Sequence, residues 1–182
     1  MAGHPYRVRL LITLAFTLFT SFGAPAAPQT TSPAPVLPPV TAYALDRAKV
    51  TLPADFAAPW NILILSFQRD QQSAVDGWFG ALGTRPGVQT WLLPISQREN
   101  MLYRWWLNAS LRGSQPPSQP RKYTVPLYVN KTEFLRSLQV PSEQDIVLLL
   151  TDKAGRVLWR TVGPVNEGKK AGLNSFLAKP PH

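Results

Sequence analysis

NILILSF, residues 61–67, is a continuous apolar run bounded by polar residues, the pattern of a strand buried on both faces of a parallel sheet. Such a strand lies at the centre of its sheet and needs cover above and below. Directly after it, Ala74, Trp78, Phe79 and Leu82 fall at helical spacing within residues 71–82, and Gly83 with Pro86-Gly87 closes the segment. Residues 88–95 return as a second strand. Strand, helix and strand with links this short predict a right-handed crossover.

Toward the C-terminus, the sequence predicts a second helix from Ser96 or Gln97 to about Arg112. Ser96 is its cap, and Glu99 three residues on completes a capping box. GSQPPSQP, residues 113–120, reads as a turn-rich loop, residues 124–130 as a short strand and residues 131–138 as a brief helix. DIVLLLT (145–151) and RVLWRTV (156–162) flank Asp152-Lys153-Ala154-Gly155, a turn whose glycine can take a positive φ, so the two form an antiparallel hairpin. Residues 165–177 close the domain as a helix, with Ala171, Leu173, Phe176 and Leu177 on its buried side. The expected fold is α/β: a mixed sheet flanked by helices on both faces, ending in a β-hairpin plus helix. The four long strands are expected in the order second, first, third, fourth.

Toward the N-terminus, residues 1–26 read as a secretory signal. Arg7 and Arg9 give the charged start, residues 10–19 a short apolar run, and Ala24-Pro25-Ala26 the small residues a signal peptidase inspects. Cleavage is expected after Ala26. The run is too short, and too interrupted by Thr13 and Thr17, for the roughly 20 residues that cross a bilayer. Residues 27–40 form a proline-rich linker, expected to be extended and mobile. Residues 41–182 then suit one domain with a real core. The chain is expected to be exported, periplasmic or extracytoplasmic, and membrane-tethered if the signal is retained.

The 182 residues contain no cysteine, and the two histidines, His4 and His182, stand at the extreme ends. That excludes a disulfide, a thiol redox centre, a cysteine nucleophile, a buried histidine triad and a two-histidine metal site. No cofactor and no metal is expected. Setting Arg7 and Arg9 aside leaves 17 Lys and Arg against 10 Asp and Glu, a net of +7, which favours an acidic or membrane-associated protein partner or an anionic lipid. No long basic block or RNA-binding signature is present, so nucleic acid is not an expected partner.

The stretch YTVPLYVNKTEFLRSLQVPSEQDIVLLLTDKAGRVLWRTVGP, residues 123–164, resembles the second half of a thioredoxin-like domain of the peroxiredoxin-related type. The first half fits the same template: NILILSF stands where that family's strand leads into its redox helix, and QRDQQ, residues 68–72, occupies the loop that would hold the reactive thiol. The patterns QRDQQ, RENMLYRWWLNASLR, LYVNKTEFLRSLQ and VLLLTDKAGRVLWRTVGP together resemble cysteine-free thioredoxin-like proteins akin to the mitochondrial ATP synthase assembly factor family. The resemblance implies a thioredoxin-like fold and, narrowly, an assembly task. Two departures matter. The candidate thiol positions are glutamines, and where the redox family sets a proline immediately before the third long strand, this chain has Gln144, with Pro141 further back.

Two constellations are candidate sites. On the helix RENMLYRWWLNASLR, Arg98, Arg104, Trp105, Asn108 and Arg112 share one side within about 120° of arc. Guanidinium groups interleaved with an indole can clamp a carboxylate, a phosphate or an acidic partner helix; the alternative reading is a solvated face. In the loop after the central strand, Gln68 and Arg69 lie where open α/β sheets bind ligands, and Asp70 or Ser73 can cap the following helix. Asp70 with Asp76, and Glu133 with Asp145, read as ordinary surface acids. Trp60, Trp91 and Trp159 read as packing residues. The expected activity is that of a non-redox binding or assembly module and not of an enzyme. The alternatives are an anion or lipid binder, or a cysteine-independent enzyme using residues 68–72.

Overall fold

The computed structural model describes residues 34–97 and 120–178. Among these residues the elements are β1 (Val40–Tyr43), β2 (Lys49–Leu52), β3 (Trp60–Ser66), α1 (Gln72–Leu82) and β4 (Val88–Gln97), then β5 (Leu127–Val129), α2 (Lys131–Ser137), β6 (Val147–Thr151), β7 (Val157–Val162) and α3 (Glu167–Leu177). β3, β4, β5, β6 and β7 form one sheet in the order β5-β4-β3-β6-β7. β3 and β4 run parallel, as do β4 and β5, while β6 is antiparallel to both β3 and β7. This is the mixed sheet expected from sequence, with the four long strands in the expected order.

β3 is central because both of its faces are apolar. Ile62 and Ile64 join Val75, Trp78 and Leu82 of α1 and Leu173 of α3 on one side. Leu63 and Leu65 point the other way, into a layer with Leu52 of β2, Phe56, and Phe134 and Leu135 of α2. All four β3 side chains are 1% exposed or less, so each contributes about 1.5–3 kcal/mol of burial. Trp78, fully buried, satisfies its indole N–H on the Gly163 carbonyl at 3.0 Å. Trp91 is likewise buried, and its indole donates to Asn61 Oδ1 at 3.1 Å, so the polar edge of each large ring is matched.

Four expectations are corrected. Ser96 and Gln97 do not start a helix: β4 continues through them, held by parallel pairing of Ser96 with Tyr128 and Gln97 with Val129. The ladder supplied by β5 outweighs the local cap. The two-stranded sheet β1-β2, with Val40 opposite Leu52 and Tyr43 opposite Lys49, was not expected, since its four-residue strands alternate too briefly to show a period. Ala171 is exposed, and α3 buries Leu173 with partial help from Phe176 and Leu177. Neither Asp70 nor Ser73 caps α1: Asp70 lies inside a 3-10 turn, Arg69–Gln71, and Ser73 inside α1 itself.

The proline-rich segment reaches into the fold at its end. Val157 donates its backbone N–H to the Pro35 carbonyl at 2.8 Å, Leu37 donates to Gly155 at 2.9 Å, and the Leu37 side chain is part of the core. The β6–β7 turn is as expected, with Gly155 at φ 81.

Candidate functional site

The site is built where β3 ends and α1 begins. Gln68 is extended, at φ −136 and ψ 158, so the chain turns sharply from strand into the Arg69–Gln71 turn and then α1. Gln71, buried and able both to donate and to accept, locks that turn from inside. Its Oε1 accepts the backbone N–H of Phe67 at 2.7 Å and of Gln68 at 3.2 Å, and its Nε2 donates to the Glu143 carbonyl at 2.9 Å. Gln68 Nε2 donates to the same carbonyl at 3.3 Å. Two side-chain amides therefore converge on one backbone oxygen in the segment that leads into β6.

A second layer of contacts holds Glu143 from its other end. Its carboxylate forms an ion pair with the Lys131 ammonium at the start of α2, and that ammonium lies 6.0 Å from the Phe67 ring centroid. α2 is positioned by Asn130, whose side chain accepts the Glu133 N–H at 3.3 Å. Asn130 thus acts as a helix cap. Beside these contacts lies an open hollow of about 800 Å³, bounded by Gln68, Arg136, Val140, Pro141, Ser142 and Gln144.

Gln68 and Gln71 have two residues between them, the spacing of the Cys-x-x-Cys motif that starts a helix in disulfide oxidoreductases. A carboxamide neither ionises to a nucleophile nor exchanges electrons, but it offers one acceptor and two donors. The arrangement is a hydrogen-bonded clasp between two loops. Sequence reasoning singled out Gln68 and the loop but missed the partner, Glu143, because nothing local links residues so far apart in the chain.

Of the other expected site residues, Arg69 is exposed on the 3-10 turn. Arg98, Arg104, Trp105, Asn108 and Arg112 lie outside the described residues, as do the expected helix and loop that follow β4 and the signal segment. Asp76 accepts from the Gln72 side chain at 2.8 Å and is taken up by α1 itself. Among the described residues no group of three His, Cys, Asp or Glu side chains could hold a metal ion. No described helix is long and apolar enough to cross a membrane.

A crossover unit with a tight turn at the end of its first strand, completed by an antiparallel hairpin and a helix, defines a thioredoxin-like fold. The domain of a thiol-disulfide oxidoreductase from Bacteroides vulgatus superposes with a TM-score of 0.53 at 15% identity, covering 80% of this chain and 97% of that one. BsSco, a member of the Sco family of cytochrome c oxidase assembly proteins, gives 0.53 at 13% identity over 79% of this chain and 95% of its own. The exposed lipoprotein thioredoxin of Streptococcus pneumoniae gives 0.54 at 12% identity over 78% and 99%. No protein-family model and no curated protein matches the sequence.

These neighbours correct the expectation that the chain is not an enzyme. Thiol-disulfide oxidoreductases are built on this scaffold, so the fold leaves an enzymatic role open. The lack of cysteine removes only thiol chemistry carried out by these 182 residues themselves.

Proposed function

We propose that this chain is an exported, non-redox binding module of thioredoxin-like fold that holds an acidic or membrane-associated protein during assembly of a membrane complex. The observation that carries the proposal is the pair Gln68 and Gln71 at Cys-x-x-Cys spacing, both bonded to the Glu143 carbonyl. A scaffold whose thiol positions are filled by clasping amides retains its surfaces for recognition. The signal-like residues 1–26 and the proline-rich residues 27–40 support export and a spacer between the envelope and the domain. The assembly task is supported by the resemblance of four short sequence patterns to proteins akin to the ATP synthase assembly factor family. That BsSco also belongs to a family of assembly proteins makes the fold compatible with such work.

The contact face in this proposal is Arg98, Arg104, Trp105, Asn108 and Arg112, with Gln68 and Arg69 at its side. Crosslinking in the native envelope, followed by identification of the captured protein, provides the assay. Arg104→Glu with Arg112→Glu is expected to abolish that capture while circular dichroism stays unchanged. Capture that survives both changes would remove this face from the proposal.

A second function is favoured by the hollow next to Gln68: a cysteine-independent enzyme whose substrate sits against the clasp. Saturable binding of a small molecule, read as NMR shifts confined to Gln68, Arg136 and Gln144, would support it over protein capture.

A further inference from the structure

We infer that a second hollow, between the β6–β7 turn and the start of β3, binds one amphipathic anion: an apolar body of acyl or aromatic size carrying a single negative head. The cavity measures about 570 Å³, within the roughly 300–1,000 Å³ of small-ligand sites. It lies at the end of β3 opposite Gln68, about 20 Å away along the strand, and so is separate from the clasp.

Its walls and its rim differ in chemistry. Pro59, Trp60 and Leu158 line the hollow, and Leu158 is 37% exposed on β7, leaving apolar surface in water. Three charges stand at the rim: Asp152, Lys153 and Arg156. The Asp152 carboxylate is consumed locally. It accepts the backbone N–H groups of Ala154 and Arg156, each at 2.9 Å, and the Arg156 Nε at 2.6 Å. Lys153 is exposed and makes no hydrogen bond or ion pair with any described residue, so the rim keeps one net positive charge at its edge. A neutral apolar ligand would leave that ammonium unmatched. A bare inorganic anion would leave Pro59 and Leu158 uncovered. An amphipathic anion satisfies both.

The test titrates octanoate and its neutral analogue octanamide into the full chain at pH 7, following the Trp60 indole and the Ala154 and Leu158 amides by NMR. Octanoate is expected to give saturable shifts centred on those residues. Octanamide is expected to bind at least about tenfold more weakly, and Lys153→Glu to weaken octanoate by at least about tenfold, because reversal turns an attraction at contact distance into a repulsion. Lys153 is an exposed turn residue, so that variant keeps its fold, and Leu158→Asn checks the apolar wall independently. Phosphatidylglycerol vesicles separate the sources of such a ligand: displacement of the chain from vesicles by octanoate assigns the hollow to a lipid, and octanoate binding without vesicle binding assigns it to a free amphiphile. Absence of saturable shifts, equal affinity for octanamide, or undiminished binding by Lys153→Glu would overturn the assignment.

Discussion

Gln71 and Glu143, 72 residues apart in sequence, are joined by a 2.9 Å hydrogen bond from the Gln71 side-chain amide to the Glu143 carbonyl. The same side chain holds the Phe67 and Gln68 amides with its oxygen, so one buried carboxamide fixes both the exit of β3 and the approach to β6.

Removing the two glutamines has unequal consequences. Gln71→Ala strips three hydrogen bonds from a buried position and leaves backbone donors unpaired, which costs about 1–3 kcal/mol. Gln68→Ala removes the long bond to Glu143 and the capping contact with the Gln71 backbone N–H, both from an exposed side chain, and is expected to cost less than Gln71→Ala, about 1 kcal/mol. Urea unfolding of the two variants reads the order directly; equal losses would contradict it.

Lys131→Met tests the ionic arm of the clasp. The Lys131–Glu143 pair is partly exposed, with side-chain exposures of 20% and 39%, so its loss should cost no more than about 1 kcal/mol. The difference from the unsubstituted chain should shrink in high salt. A loss that is large and indifferent to salt would mean that Lys131 acts through packing.

Two glycines respond to alanine with opposite signs. Gly155 has φ 81, and a Cβ there would stand 2.9 Å from Pro53 Cβ and Cγ, so Gly155→Ala is expected to destabilise by roughly 1–3 kcal/mol. Gly80 lies in the interior of α1 with open space around its missing Cβ, and Gly80→Ala should stabilise by about 0.5–1 kcal/mol. Thermal melts moving in opposite directions are the predicted outcome, and a shared direction would contradict the described turn or helix.

Core position decides the effect of equal truncations. Leu63, unexposed at the sheet centre, should cost about 2–5 kcal/mol as Leu63→Ala. Leu158→Ala, on the exposed rim of β7, should stay below about 1 kcal/mol. Similar values for both would contradict the assignment of β3 as the central strand.

The strands and helices with strong local patterns were legible from the chain itself. NILILSF had to be buried on both faces, and VLLLT followed by D-K-A-G had to turn back on itself, so the sheet order followed from connection rules. What escaped depended on pairing at a distance. β1 and β2 are each too short to show a period, and Ser96 carries a sound capping pattern that β5 overrides through pairing with Tyr128. Gln71 could be placed on the loop after β3, but a carboxamide has no sequence signature for the carbonyl it will meet, so the clasp became visible only when Glu143 was brought beside it.

The most direct measurement concerns the claim that Gln68 and Gln71 stand where a thioredoxin-like enzyme keeps its thiols. In a chain with no other cysteine, Gln68→Cys with Gln71→Cys places two thiols at the start of a helix, close enough for a disulfide across one turn. After mild oxidation both cysteines are predicted to resist alkylation, each taking up the reagent only once a reductant is added. Two thiols that remain freely alkylated after oxidation, in a variant that is still folded, would contradict the claim.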